Sequence, residues 1–258
     1  MRRIAKIRSK LNNSEWRRIS RFLRSCKGIY VGRAWRCRRF VNGVLWIART
    51  GSQWRELPER YGNWNSVYKR FARWDKAGIW ERMFLHFADD PEMESLLLDS
   101  RVIRAHPCAA GAPAAQGGQE AQALGRSRGG FSTKIHVAVH ALGLPLDFVL
   151  TAGQRHDITQ APTLLKGHKA TYVIADKSYD SDHFLQLIRE SDALPVIPAR
   201  QNRTESRDYD EHLYKERHLV ECFINKIKWY RRIFVRYEKL DSRYLSFLYL
   251  VSSLSWLR

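Results

Sequence analysis

Acidic side chains are scarce in this chain: 26 Asp and Glu face 45 Lys and Arg, a formal net charge of +19 over 258 residues. That imbalance predicts a strongly polyanionic partner. Cysteine is sparse too. Cys26, Cys37, Cys108 and Cys222 form no CxxC pair and follow no regular spacing, which excludes a zinc ribbon or a disulfide framework and fits cytosolic thiols. No apolar run reaches the ~20 residues needed to span a bilayer. The most apolar stretch, 243–257, reads instead as a terminal helix covering a core. The opening MRRIAKIRSK lacks the apolar segment of a secretory signal. These features predict a soluble, cytoplasmic protein with no membrane partner. Also missing are a Gly-Lys-Ser/Thr phosphate loop, a dinucleotide-binding glycine fingerprint, a Gly-x-Ser-x-Gly elbow and any internal repeat.

What is present is unevenly spread. Residues 1–88 hold 22 basic against 5 acidic side chains, residues 89–199 hold 10 against 13, and residues 200–258 hold 13 against 8. The basic character therefore belongs to the two ends, and the acidic middle carries most of the candidate metal ligands. Seven of nine tryptophans (Trp16, Trp35, Trp46, Trp54, Trp64, Trp74, Trp80) also fall in the first 88 residues. Aromatics among bases suit nucleic acid, yet tryptophans spaced along amphipathic helices build small cores, and that role is expected for most of them.

With 44% apolar residues the chain can bury a core, and its length suits one medium domain plus a small one. The periodicity over 14–87 predicts short helices: one from an N-cap at Ser14, one ending at Gly51, and one following Asn65 and ending before Gly78. This pattern suits a basic DNA-binding domain over 1–90, of helix-turn-helix type. In such modules the second helix enters the major groove, so Asn65, Ser66, Lys69, Arg70 and Arg73 are the first candidates to touch DNA. Asp89, Asp90 and Pro91 mark the boundary. Beyond it, apolar runs at 95–100, 134–140, 144–150, 171–177 and 193–198 read as strands, with helices at about 157–166 and 180–190. The expected catalytic domain, 91–258, is α/β: a mixed sheet flanked by helices. The Gly/Ala-rich segment 105–130 is low in bulky apolar residues and predicts a mobile loop that packs no core.

Three carboxylates carry the chemistry. Asp99 and Asp176 each end a short apolar run, and Glu221 lies on the expected helix KERHLVECFINKIKWY. Tyr214, Arg217, Glu221 and Lys228 sit at offsets of 0, 3, 7 and 14, which fall on one helical stripe, with Val220, Phe223 and Ile227 forming an adjacent apolar one. A lone acid framed by bases suits a group that binds metal while its neighbours hold phosphate. Such a set suits Mg2+, for which Mn2+ can substitute, in two-metal phosphoryl transfer. Each acid also has a plain structural reading, as a turn, cap or surface-pair residue; Asp180 and Asp182 are expected as the cap and first-turn acids of the next helix. His136 and His140 are a rival metal pair, but four residues along a strand cover about 13 Å, too far to grip one zinc.

Here the chain resembles the DDE transposases of bacterial insertion sequences, most like the group named Insertion Sequence Five. Tyr214, Arg217, Glu221 and Lys228 match that superfamily's Tyr-Arg-Glu-Lys motif. LLLDS around Asp99, GRSRGGFSTKIHVAV at 125–139, GLPLDFVLTAGQRHD at 143–157 and IADKSYDS at 174–181 resemble its core segments. The similarity spans about residues 30–257, with one local departure at His140, where many relatives carry Asp. The resemblance implies an RNase H-like fold, Asp99, Asp176 and Glu221 as the catalytic, metal-binding triad, and Tyr214, Arg217 and Lys228 as groups that position DNA. It further implies cleavage at the terminal inverted repeats, strand transfer into target DNA, a homodimer or higher assembly on double-stranded DNA, and a nucleoid-associated place in a bacterial cytoplasm. Two other readings stay open: a nuclease of the same fold that cuts without joining, and a DNA-binding relative without catalytic activity.

Overall fold

A computed structural model of the protein describes residues 10–88, 93–203 and 208–258. The expected boundary at Asp89, Asp90 and Pro91 lies outside the described residues, as do residues 1–9 of the basic opening. In chain order come α1 (Asn13–Ser25), α2 (Ala34–Thr50), α3 (Trp64–Lys76), α4 (Ile79–Phe87), β1 (Ser95–Ala105), β2 (Gly125–Ser127), β3 (Gly130–His140) and β4 (Pro145–Ala152). Then follow α5 (Ala161–Leu165), β5 (Tyr172–Ile174), α6 (Asp182–Glu190), β6 (Leu194–Val196), α7 (Glu211–Tyr214), α8 (His218–Ile227), α9 (Arg231–Phe234) and α10 (Asp241–Leu257). Contacts divide the chain into two compact units. One takes in the described residues of Met1–Phe87 together with Ile227–Val235 and Ser242–Arg258; the other takes in those of Ala88–Lys226 and Arg236–Asp241. In contrast to a single cut after residue 90, the units are interleaved, because the apolar C-terminal helix returns to the N-terminal helices.

In the helical unit, the cap of α1 is Asn12 rather than Ser14. Asn12 Oδ1 accepts from Glu15 N at 2.8 Å, and Glu15 Oε2 accepts in return from Asn12 N at 2.8 Å. This reciprocal capping box satisfies two amide donors at once, which a cap at Ser14 would not have done. Gly51 closes α2 in the left-handed region at φ 71°, as its position predicts. Residues 51–63 separate α2 from α3 with two 3-10 turns, so the link is not the three- to four-residue turn of a helix-turn-helix. The core is aromatic. Trp16, Trp74 and Trp80 are buried. Phe71 stacks on Phe247 of α10 at 4.7 Å, and Phe84 stacks on Tyr249 at 5.3 Å. α10 has no solvent face over its middle: from Ser246 to Ser255 every residue is buried, serines included. Among the described residues, no helix is long and apolar enough to cross a membrane.

In the sheet unit the order is β2–β3–β1–β5–β6, with β4 on β3. β1, β3 and β4 run antiparallel, while β5 and β6 run parallel to β1. Helices flank this mixed sheet in the RNase H-like manner. Its centre is the β1 run Leu96, Leu97 and Leu98, buried between β3 on one side and β5 on the other. A strand enclosed on both faces reads as a continuous apolar run, as this one does. α8 packs inward through Val220, Phe223 and Ile224, with the Phe223 ring 6.1 Å from that of Phe148 on β4. The segment 105–130 departs from the expected core-less loop. It holds three 3-10 turns, the strand β2, and a buried cluster of Ala105, Ala109 and Leu124 backed by Ala110 and Phe131. Gln122 ties it down, donating to Gln116 O at 2.7 Å and accepting from Asp241 N at 3.0 Å. Small alanines suffice here because Leu124 and Phe131 supply the bulk.

Candidate active site

Asp99 and Asp176 are brought together by strand register. Leu97 of β1 pairs in parallel with Ile174 of β5, and each aspartate stands two residues beyond that pair. An offset of two returns both to the same face. Asp99 is not at a strand end, however: β1 continues to Ala105 because β3 keeps pairing with it, with Asp99 opposite Val137. Only β5 stops, at Ile174, and the chain turns out of the sheet at Asp176. The carboxylate of Asp176 also does local work there, accepting from Ser178 N at 2.8 Å. The cap of α6 is Ser181, with Asp182 in its first turn. Asp180 is not a cap. It is buried and accepts from Arg200 N at 2.8 Å and Arg203 Nε at 2.7 Å, so it braces the chain after β6.

Glu221 is linked to Asp99 through Arg217. The guanidinium donates to Glu221 Oε1 through Nη2, while Nη1 lies 3.8 Å from Asp99 Oδ2. The expected continuous helix is broken in register just before this point, since a 3-10 turn at Lys215–Arg217 links α7 to α8. Tyr214 closes α7, with its ring edge-on to Tyr209 at 5.3 Å, and its phenol is held up by burial first, against the lowering field of Arg217. Lys228 follows the last residue of α8 and belongs to the helical unit.

The electrostatics centre on Asp99. Burial pushes its carboxyl up from 3.8 to about 6; the Ser100 amide and Arg217 oppose the rise, and the charges of Asp176 and Glu221 add to it. Such a group stabilises the fold below the unfolded value of 3.8 and loses that contribution as pH climbs through about 6. At pH 8 the ionised side chain therefore costs up to about 3 kcal/mol. Asp99→Asn is expected to raise the thermal midpoint of the metal-free protein at pH 8, with the advantage over wild type shrinking toward pH 4. Unfolding curves in chelator at the two pH values check this, and equal midpoints at pH 8 would contradict it.

Sequence reasoning missed a second layer behind the acids. Asp157 accepts from Ser100 Oγ at 2.6 Å and from Lys134 Nζ at 2.6 Å, and Ser178 Oγ lies 3.3 Å from its other oxygen. Tyr179, almost wholly buried, has a phenol raised well above its ordinary value by burial first and then by the charges of Asp157, Asp99 and Asp176. The signal was legible in part: Ser100 and Ser178 follow the two aspartates by one and two residues, and Asp157 closes the segment GQRHD. The histidines are committed elsewhere. His136 Nε2 meets Thr151 Oγ1 at 2.8 Å, burial holding its ring down to about 4, and His140 Nδ1 accepts from Leu142 N at 2.7 Å.

On α3, Ser66, Lys69 and Arg73 are exposed and share a face, and Asn65 is half-buried in the first turn, where its amide is capped by Asn63. Arg70 is packed differently from the exposed three. It lies over the rings of Phe40 at 4.4 Å and Trp74 at 5.0 Å and donates to Val31 O at 3.0 Å, in the loop between α1 and α2.

Residues 90–256 match the family model described as "Transposase DDE domain", and residues 11–84 match that described as "Putative transposase of IS4/5 family". The chain belongs to the DDE transposases of bacterial insertion sequences. It is 43% identical over 129 residues to the "Putative transposase for insertion sequence element IS6501" of Brucella ovis, covering 49% of this chain and 99% of that protein. It is 32% identical over 128 residues to the "Putative transposase for insertion sequence element IS402" of Burkholderia cepacia, covering 45% of this chain and 58% of that one. Among solved structures, a piggyBac transposase synaptic complex with hairpin DNA matches at a TM-score of 0.41 and 11% identity, over 75% of this chain. The chain spans about half the length of that solved protein, at 48%. Family membership makes this a nucleic-acid-cutting enzyme, of a class that uses divalent metal in general.

Proposed function

We propose that this chain cuts DNA at the ends of an insertion sequence and joins the freed 3′ ends to target DNA, with Asp99, Asp176 and Glu221 holding Mg2+ or Mn2+. The observation that carries the reading is the register: two aspartates each stand two residues beyond a paired position of adjacent parallel strands, and one guanidinium links the first of them to the helix glutamate. All three offer only carboxylate oxygens, the donor type hard divalent ions prefer. Among the described residues, no three His, Cys, Asp or Glu side chains are gathered closely enough to hold an ion. The Arg217 guanidinium instead occupies the space between Asp99 and Glu221, a positive charge where a cation's charge would sit. The donor set thus fits a divalent ion provided that Arg217 releases both acids.

When bound, divalent ions would lower the barrier to in-line displacement at phosphorus by stabilising the attacking and leaving oxygens. The residues of this chain do the rest. The partial burial of Asp99 reduces screening by water, so charges placed beside it act more strongly than in bulk solvent. Arg217, once released from the acids, presents a planar fork that matches a phosphate, with Tyr214 beside it to pack the strand near the cut. Lys228 would contact DNA from its place beyond α8. In cleavage, water attacks the phosphodiester and the 3′ oxygen leaves with a proton; in transfer, that 3′-OH attacks a target phosphodiester, its proton is lost, and the target strand's 3′ oxygen leaves with a proton. The exposed basic residues of α2 and α3 supply binding to the terminal repeats, and a dimer or higher assembly holds the two ends together.

The deciding experiment uses a donor end already cut to a 3′-OH, incubated with supercoiled plasmid and Mn2+. Covalently joined product is expected. Cleavage of an uncut end without any joined product would reduce the reading to a nuclease.

A further inference from the structure

We infer that Asp157 is a positioning residue that sets the spacing of Asp99 and Asp176, an inference that rests on the proposed metal-binding role of those two. Asp157 lies outside both strands, on the turn after β4, yet one of its oxygens accepts from Ser100 Oγ at 2.6 Å and the other lies 3.3 Å from Ser178 Oγ. Ser100 N in turn donates to Asp99 Oδ1 at 2.8 Å, and Ser178 N donates to Asp176 Oδ1 at 2.8 Å. A single carboxylate thus connects, through one serine on each side, the two acids carried by different strands. Backbone pairing cannot do this job beyond Ile174, because β5 has ended there.

The protons can be assigned. The Ser178 hydroxyl has one, shared in a three-centre bond of which Asp176 Oδ1, the nearer acceptor, takes the stronger arm. The contact to Asp157 Oδ2 at 3.3 Å is the weaker arm of the same bond. Ser100 and Lys134 give Asp157 its short bonds, and Lys134 Nζ also reaches Arg155 O at 2.6 Å. Burial alone would raise the Asp157 carboxyl, but the hydrogen bonds and charge from Lys134 and Ser100 outweigh it and hold it low. Its Oδ1 is already taken by Ser100 and Lys134. Partners one step removed from metal ligands fix their direction, and losing one weakens binding by roughly 10–100-fold.

The test is Mn2+ binding to the full chain without DNA, read by electron paramagnetic resonance, alongside metal-free affinity for terminal-repeat DNA. Asp157→Ala is expected to weaken Mn2+ binding by about tenfold or more, with DNA affinity unchanged. Asp157→Asn combined with Lys134→Met removes the ion pair but keeps an acceptor for Ser100 and adds an amide donor for Ser178. This double variant is expected to bind Mn2+ within about threefold of wild type, well short of the tenfold loss. If Asp157→Ala binds Mn2+ as wild type does, or if the double variant is as weak as Asp157→Ala, the positioning role is overturned. If wild type and Asp176→Asn bind Mn2+ alike, the proposed metal set itself falls, a separate outcome.

Discussion

Asp176→Asn is expected to lower DNA cleavage by about a thousandfold or more, equivalent to roughly 4 kcal/mol of lost transition-state stabilisation, while leaving DNA affinity in chelator unchanged. The substitution is clean because Asp176 has two separable jobs. Its Oδ1 caps the turn by accepting from Ser178 N, and asparagine caps as well as aspartate does. Only the charge is lost, so a folded variant with no cleavage isolates the electrostatic role. Asp180→Asn supplies the contrast. Asp180 is buried against Arg203, an ion pair with N–O 2.7 Å, and removing its charge should lower the thermal midpoint. Its effect on cleavage at a temperature where the variant is folded should be small. Cleavage assays on a terminal-repeat duplex, with binding measured separately, check both. Wild-type cleavage by Asp176→Asn would remove that residue from the site.

The contrast between these neighbouring acids shows what a sequence can and cannot disclose. The apolar runs around Asp99 and Asp176 were legible because buried central strands carry continuous aliphatic residues, as Leu96–Leu98 and Val173–Ile174 do. Their parallel pairing was not legible, since register between strands separated by some seventy residues is set by tertiary packing. The helix carrying Glu221 was legible from Val220 and Phe223, both buried. The 3-10 turn at Lys215–Arg217 was not: offsets of 3 and 7 fit a helix whether or not a tighter turn interrupts it. Asp157 was visible as a residue but not as a partner, because hydrogen bonds spanning 57 positions leave no local pattern. The surroundings of Arg70 were hidden for a related reason. An arginine on an amphipathic helix looks solvated until the aromatic faces beneath it, Phe40 and Trp74, are placed. The interleaving of α10 with the N-terminal helices was likewise hidden, although its apolar character announced that something must cover it.

Neutralising Arg33, Arg36 and Arg39 together, each to Gln, is expected to flatten the salt dependence of DNA binding and weaken it several hundredfold at 0.1 M salt. All three side chains are exposed at the start of α2. The estimate assumes that each contacts one phosphate: three lost contacts reduce the slope of log K against log salt by about 2.7, and, referred to 1 M salt, cost that many decades at 0.1 M. Arg38, in the same run, should behave differently. It is half-buried and donates to Leu11 O at 2.9 Å, so Arg38→Gln should cost stability and leave the slope alone. Trp35 separates charge from geometry. Its ring is 55% exposed, with the guanidinium groups of Arg36 and Arg39 at 5.2 and 5.4 Å from its centroid. Trp35→Ala removes the platform that orients both cations but removes no charge. Affinity should fall by roughly the worth of exposed cation–π contacts, about 1 kcal/mol, with an unchanged slope. Fluorescence-anisotropy titrations at four salt concentrations distinguish the cases. A triple variant with the wild-type slope would assign these arginines to solvent and move the DNA-binding face to Ser66, Lys69 and Arg73 on α3.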